Sequence, residues 1–201
     1  MRILILANND VGLYKFRKEL IGELLKKNTV YISLPYGGFV DDLCNMGCEF
    51  IDTPIERRGI NPFKDAKILI AYFRMVKKYM PDLVITYTIK PNVYGGMICR
   101  LLKVPYAMNI TGLGTAFEKD GILKTLVIKM YCIACKKAKI VFFENEENKQ
   151  FFIKEHIVNE ERTHKLNGAG VNLDEYQVME YPTEQKIHFL FMGRIMKEKG
   201  I

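Results

Sequence analysis

Residues 1–34 read MRILILANNDVGLYKFRKELIGELLKKNTVYISL, and their pattern decides the fold. Residues 3–7 are apolar at every position, as in a parallel strand covered on both faces. A polar turn, Asn8, Asn9 and Asp10, follows. From about residue 13 to 27, Phe16, Leu20, Ile21 and Leu24 recur at helical spacing, which predicts a helix packing that stripe on a sheet. Residues 30–34 are again a strand, so the stretch is a strand–helix–strand unit.

The same alternation continues outward. Pro35, Gly37 and Gly38 end the second strand, and a short helix with Val40, Leu43 and Met46 precedes a weak strand at 49–52. Asn61 as cap and Pro62 in the first turn open a helix reaching about residue 79, which Pro81 stops. Strands are expected at 83–87, 106–110, 140–143 and 164–166, with helices at 92–102, 122–137 and 146–154. Right-handed crossovers then give an α/β fold, a Rossmann-like doubly wound parallel sheet. Such sheets take ligands beyond the carboxyl ends of their strands, which here means the segments after Ala7, Tyr87, Ile110 and Phe143. The polar stretch 181–185 reads as a linker, and 188–192 as the first strand of a second domain. The expected organisation is one domain over 1–180, with 181–201 as linker and truncated start of the next.

Composition narrows the class. With 201 residues, 49% hydrophobic and 26% charged, the chain is neither disordered nor collagenous. No apolar run reaches the roughly 18 residues of a membrane span, and the N-terminus lacks the form of a signal peptide, so a cytoplasmic location is expected. Five cysteines are then read as reduced thiols. The net charge of +7 predicts an anionic partner. Most of it lies in residues 1–103, where 16 Lys+Arg face 10 Asp+Glu; residues 104–201 hold 14 against 13. The cations cluster at Lys15, Arg17, Lys18, Lys26 and Lys27, at Arg57 and Arg58, and at Lys64, Lys67, Arg74, Lys77 and Lys78. Solvated helix faces and a docking surface both account for them.

The loops carry the candidate chemistry. ANNDVG after the first strand lacks the GxGxxG spacing of a dinucleotide site, and GLGTAF at 112–117 has only two of the three glycines with no helix directly behind it. Gly12 is either a turn glycine or a point where a phosphate approaches a helix N-terminus. In KPNVYGG, residues 90–96, Lys90 places a cation beside the crevice, while Gly95 and Gly96 permit close packing or close ligand approach. NITGLG at 109–114 offers backbone N–H groups and the Thr111 hydroxyl to a sugar or phosphate. In FLFMGRIMKEKGI, Arg194 follows an apolar run and Lys199 lies in the turn ahead of a helix, a pairing suited to a diphosphate.

Other chemistries find less support. Cys132 and Cys135 have CxxC spacing, and Cys44 with Cys48 could complete a zinc site, but the first pair lies in a helical pattern without a knuckle turn. His156, His164 and His188 do not follow crevice strands, and no GxSxG elbow is present. No aromatic-rich RNA motif accompanies the basic charge, so nucleic acid is not expected as a partner.

Taken together, LYKFRKEL, KPNVYGG, NITGLGTAF, VFFEN and GRIMKEKGI resemble family 4 of the retaining glycosyltransferases. The likeness is greatest to bacterial sugar transferases that extend undecaprenyl-diphosphate-linked glycans for capsule, exopolysaccharide or protein glycosylation. The resemblance implies one half of a two-domain GT-B architecture: the acceptor-side domain and the opening of the donor-side domain. It implies a hexosyltransferase that takes a UDP- or GDP-sugar, needs no metal or other cofactor, and uses a lipid-diphosphate or glycan acceptor. By motif, Arg194 and Lys199 would clamp the donor diphosphate, with Gly12 approaching from the opposite side. Lys90, Asn92, Thr111 and Gly112 would line the acceptor cleft, and Asn145 would form its floor. Many relatives carry a His where this chain has Thr111 and Gly112, the usual interdomain acidic residue is Asn172 here, and the expected catalytic glutamates lie beyond Ile201. The 201-residue chain alone is therefore expected to be inactive. The basic first-half helices would hold the protein peripherally on the anionic inner face of the cell membrane. A sugar-nucleotide epimerase of the same architecture and a non-catalytic lipid- or glycan-binding module are the alternatives.

Overall fold

Seven strands pair in parallel to form a single sheet in the computed structural model, which describes residues 1–56, 61–114, 117, 121–181 and 189–193. They are β1 (Arg2–Leu6), β2 (Thr29–Leu34), β3 (Glu49–Asp52), β4 (Leu83–Tyr87), β5 (Tyr106–Ile110), β6 (Ile140–Phe143) and β7 (Thr163–Lys165). Helices α1 (Asp10–Leu25), α2 (Val40–Asn45), α3 (Pro62–Tyr79), α4 (Gly96–Leu102), α5 (Ile122–Cys135) and α6 (Glu146–Lys154) alternate with them. The order β3-β2-β1-β4-β5-β6-β7 places β1 at the point where the winding reverses. Leu6 pairs with Ser33 on one side and Thr86 on the other, so the carboxyl ends of β1 and β4 open the crevice expected of a doubly wound sheet.

Each sheet face has its own core. On one face Leu4, Leu6, Val84, Met108, Ile110 and Phe143 pack under Tyr72, Tyr131 and Phe152 of α3, α5 and α6. On the other, Ile3, Ile5, Ile32 and Leu34 pack under Leu13, Ile21 and Leu43 of α1 and α2. Each fully buried side chain of this size contributes roughly 1.5–3 kcal/mol. The five central strands β2, β1, β4, β5 and β6 are thus covered on both sides, which is why they read as apolar runs, whereas the edge strands β3 and β7 have no buried residue. Local signals set the helix ends. Asn61 accepts from the N–H groups of Phe63 and Lys64 at the start of α3, and Met80 closes it in the left-handed conformation (φ 45°) ahead of Pro81.

Three expectations are corrected. The first helix begins at Asp10, because Asn9 caps it, and its inward line is Leu13, Arg17 and Ile21; Phe16 and Leu20 are exposed. The helix expected at 92–102 opens as a π turn, Pro91–Gly95, before α4. There Gly95 lies so close to the sheet that an added Cβ would stand 2.7 Å from Leu6 Cδ1, so close packing explains this glycine. The helix expected at 122–137 ends at Cys135. Of the strand expected at 188–192, residues 189–192 are described, and Phe189, Leu190 and Met192 there are exposed.

The chain divides into two units, Met1–Gly170 and Val171–Ile201. The sheet belongs to the first. In the second, Asn172 organises a turn, its carbonyl accepting from Glu175 and Tyr176 and its side chain from Asp174.

Candidate active site

The loops beyond the carboxyl ends of β1, β2, β4, β5 and β6 form one rim. At β1, Asn9 Oδ1 accepts the Gly12 N–H at 2.7 Å, and buried Asp10 accepts the Phe39 N–H at 2.8 Å. The second bond ties the β1 loop to the β2 loop. It leaves no room at Gly37, where a Cβ would stand 2.5 Å from the Asp10 carboxylate. Tyr14 stacks on Phe39 at 4.9 Å, and the Lys15 ammonium lies 4.9 Å above the Phe39 ring.

Two ion pairs stand behind the rim. Arg17 reaches from α1 to Glu144, just past β6, and its guanidinium lies over the ring of Tyr87 at the end of β4. Burial pushes the Tyr87 phenol up, and the neighbouring Arg17 charge opposes that shift. On the other sheet face, Lys90 Nζ donates to Asp65 Oδ1 at 2.8 Å, with both side chains largely buried. Burial, followed by the Asp65 charge, raises the nearby Tyr94 phenol.

The ends of β4 and β5 hold unmet polar demand. Thr88 sits in the left-handed region (φ 70°), rare for a β-branched residue, with its hydroxyl buried and unpartnered among the described residues. Asn109 Oδ1, and on α3 Asp65 Oδ2, are likewise buried without a partner among the described residues. Orphaned atoms of this kind mark a place where water or a ligand completes the network.

The expected site residues separate into distinct groups. Lys90, Thr111, Gly112 and Asn145 all lie on the carboxyl rim, with Thr111 and Asn145 exposed. Asn145 caps α6, accepting from the Asn148 N–H at 2.8 Å. Gly12 lies in the first turn of α1, and its N–H is occupied by Asn9, so it does not offer a loop amide to phosphate. Asn92 does not line a cleft. It is 1% exposed, accepting from Thr86 Oγ1 at 2.6 Å and donating to the Asn109 carbonyl at 2.9 Å, because the π turn aims its amide into the sheet. Arg194 and Lys199 lie outside the described residues. The sequence puts Arg17 in a basic cluster that reads as a solvated face or a docking surface, and does not single out Asp65, Thr88 or Glu144. Arg17 does fall four residues from both Leu13 and Ile21, the one local signal that it faces inward.

The cysteines lie apart from the rim. Cys48 belongs to the smaller core and Cys135 to the larger, on opposite sheet faces. Among the described residues no group of three His, Cys, Asp or Glu could hold a metal ion. A cavity of about 380 Å³ lined by Lys136, Lys137, His156 and Arg162 lies between the end of α5 and the segment before β7, at the amino edge of the sheet.

A doubly wound parallel sheet with such a rim defines a Rossmann-like ligand-binding domain of the α/β class. The chain belongs to the glycosyl transferase 4-like family, whose model matches residues 2–145. It is 24% identical over 219 residues to the Campylobacter jejuni N,N'-diacetylbacillosaminyl-diphospho-undecaprenol alpha-1,3-N-acetylgalactosaminyltransferase, covering 100% of this chain and 58% of that protein. It is 30% identical over 121 residues to the Escherichia coli UDP-Gal:alpha-D-GlcNAc-diphosphoundecaprenol alpha-1,3-galactosyltransferase, covering 59% of this chain and 31% of that one. The crystal structure of a glycosyltransferase from Rickettsia africae shares the fold, with a TM-score of 0.65 at 20% identity over 88% of this chain and 45% of that chain. The chain thus spans little more than half the length of the first relative.

Proposed function

We propose that the protein is a retaining hexosyltransferase. It moves a sugar from a UDP- or GDP-sugar to a lipid-diphosphate-linked glycan during bacterial surface-glycan assembly, at the inner face of the cell membrane. The observation that carries this reading is the alignment of the whole chain with a transferase named for a diphospho-undecaprenol acceptor. The rim supports it: a cation at Lys90 beside the crevice, an open glycine-bearing loop at 111–114, and polar atoms at the ends of β4 and β5 awaiting partners.

In this mechanism an acceptor hydroxyl adds to the anomeric carbon on the face from which the nucleoside diphosphate departs. The carbon–oxygen bond to the diphosphate breaks as the new one forms, and the hydroxyl proton passes to the departing phosphate oxygen. Arg194 and Lys199 neutralise the charge growing on the diphosphate, so no metal is required. Lys90, Thr111 and Asn145 face the acceptor. Asn92, Arg17 and Glu144 hold the walls. Full-length protein incubated with a panel of UDP- and GDP-sugars and a lipid-diphosphate acceptor should yield a glycosylated lipid. An epimerised free sugar nucleotide, without transfer, would replace this reading with that of an epimerase.

A further inference from the structure

We propose that the outer surface of the α3–α4–α5 layer lies on an anionic lipid bilayer, with the N-terminal ends of α3 and α5 dipping into it beside the acceptor crevice. The inference deepens the function proposed above, from which it takes the lipid-borne acceptor. It assigns the contact to a face other than the whole set of basic first-half helices.

Helix α5 is apolar on both sides. Val127, Tyr131, Ala134 and Cys135 are buried in the core, yet Ile122, Leu126 and Ile133 form an exposed line on the opposite side, with Ile122 89% exposed. Leu123 flanks that line and is exposed as well. Helices on a soluble layer turn charge outward at such positions; an apolar outward stripe marks a partner surface. Its neighbours continue it, with Leu101 exposed on α4 and Phe63 and Ile70 on α3.

Among the described residues, the exposed charges carried by α3, α4 and α5 themselves are all basic, and the acid beside them is Glu56, paired with Lys64 at the start of α3. Lys129, Lys136 and Lys137 are exposed on or just past α5, and Lys67, Arg74, Lys77 and Lys78 on α3. Between Asp82 and Glu144 the sequence has no acidic residue except Glu118 and Asp120. The one acidic residue of α3, Asp65, is buried against Lys90. Helix α1 differs in both respects. Glu19 and Glu23 interrupt its exposed apolar positions, Arg17 is held by Glu144, and Lys26 by Glu23.

Helix direction supplies the link to function. Each crossover helix starts at the carboxyl edge of the sheet, so Phe63, Ile122 and Leu123 stand on the same edge as Lys90 and Thr111. A lipid diphosphate lying in the bilayer surface would meet the rim there. Apolar side chains among cations suit an interfacial helix on acidic lipid. A second copy suits the face poorly, since a two-fold contact would set lysines against lysines.

The test is flotation of the full-length protein with phosphatidylcholine vesicles, alone or with about one part in four phosphatidylglycerol. Binding should need the anionic lipid and weaken with salt. The exposed triple substitution Ile122→Ser, Leu126→Ser, Ile133→Ser should lower partitioning roughly tenfold without changing the melting temperature. Lys129→Glu with Lys136→Glu should act likewise, whereas Lys26→Glu with Lys27→Glu should have less than about a twofold effect. Parent-like flotation of both the triple variant and the Lys129, Lys136 variant would overturn the proposal. So would a dimer of the parent that the triple substitution separates, since that gives the face to a second copy. Transfer to a water-soluble short-chain acceptor should survive the triple substitution. A protein that floats but transfers nothing keeps this surface and loses the transferase; one that transfers yet ignores vesicles loses the surface alone.

Discussion

Arg17 of α1 and Glu144, just past β6, form an ion pair across 127 residues of sequence, and the guanidinium carbon lies 5.5 Å from the centroid of the Tyr87 ring between them. One side chain thereby spans the ends of β4, β5 and β6. Arg17→Met leaves Glu144 largely buried without its cation and should cost about 2–3 kcal/mol in urea titrations. Adding Glu144→Gln should recover part of that loss. Arg17→Lys should recover less than the parent stability, because an ammonium lacks the guanidinium's fit to both carboxylate and ring.

The Lys90–Asp65 pair separates a binding role from a scaffolding one. Lys90→Met should lower kcat/KM about tenfold when the acceptor is varied, the scale of a lost charged hydrogen bond, and leave the donor KM unchanged. Asp65→Asn keeps the cation but loosens its position, and its acceptor defect should be smaller. An identical kinetic loss in both variants, matched by identical loss of stability, would assign Lys90 to the scaffold.

Buried thiols give the domain an alkaline limit. Burial pushes Cys48 up to about 11 and Cys99 up to about 12, against an ordinary value of 9.0. Above about pH 9 the unfolded chain loses these protons while the folded chain keeps them, so stability falls as pH rises toward 11, by up to about 1.4 kcal/mol per pH unit for each thiol. Urea midpoints measured across that range should show the decline, and Cys48→Ala with Cys99→Ala should lessen it, with buried Cys135 and the buried tyrosines, also raised by burial, keeping the remainder.

The diphosphate clamp is tested in the full-length protein. Arg194→Ala should reduce turnover about a hundredfold, the usual scale for losing one preorganised group that stabilises transition-state charge. Transfer at the parental rate would remove Arg194 from the mechanism.

The centre of the sheet is legible because its five inner strands are covered on both faces, leaving compact apolar runs bounded by Asn, Gly and Pro, while the edge strands β3 and β7 give a weaker pattern. The phase of α1 is not legible. Phe16 and Leu20 offer a more apolar stripe than Leu13, Arg17 and Ile21, and what turns Arg17 inward is a carboxylate five strands further along the chain. The sequence puts Asn92 just past a strand end but carries no signal of its orientation. The π turn that directs its amide toward Thr86 and Asn109 leaves no periodic trace. Thr88 has an ordinary residue type for a strand end, and only backbone geometry reveals its strained conformation.

Asn92 ties β4 to β5 from beneath the rim, leaving residues 111–114 to vary above a fixed keel. Recognition and architecture are thereby uncoupled. Exchanging that short loop between relatives should retune which glycan is accepted, with the chassis unaltered.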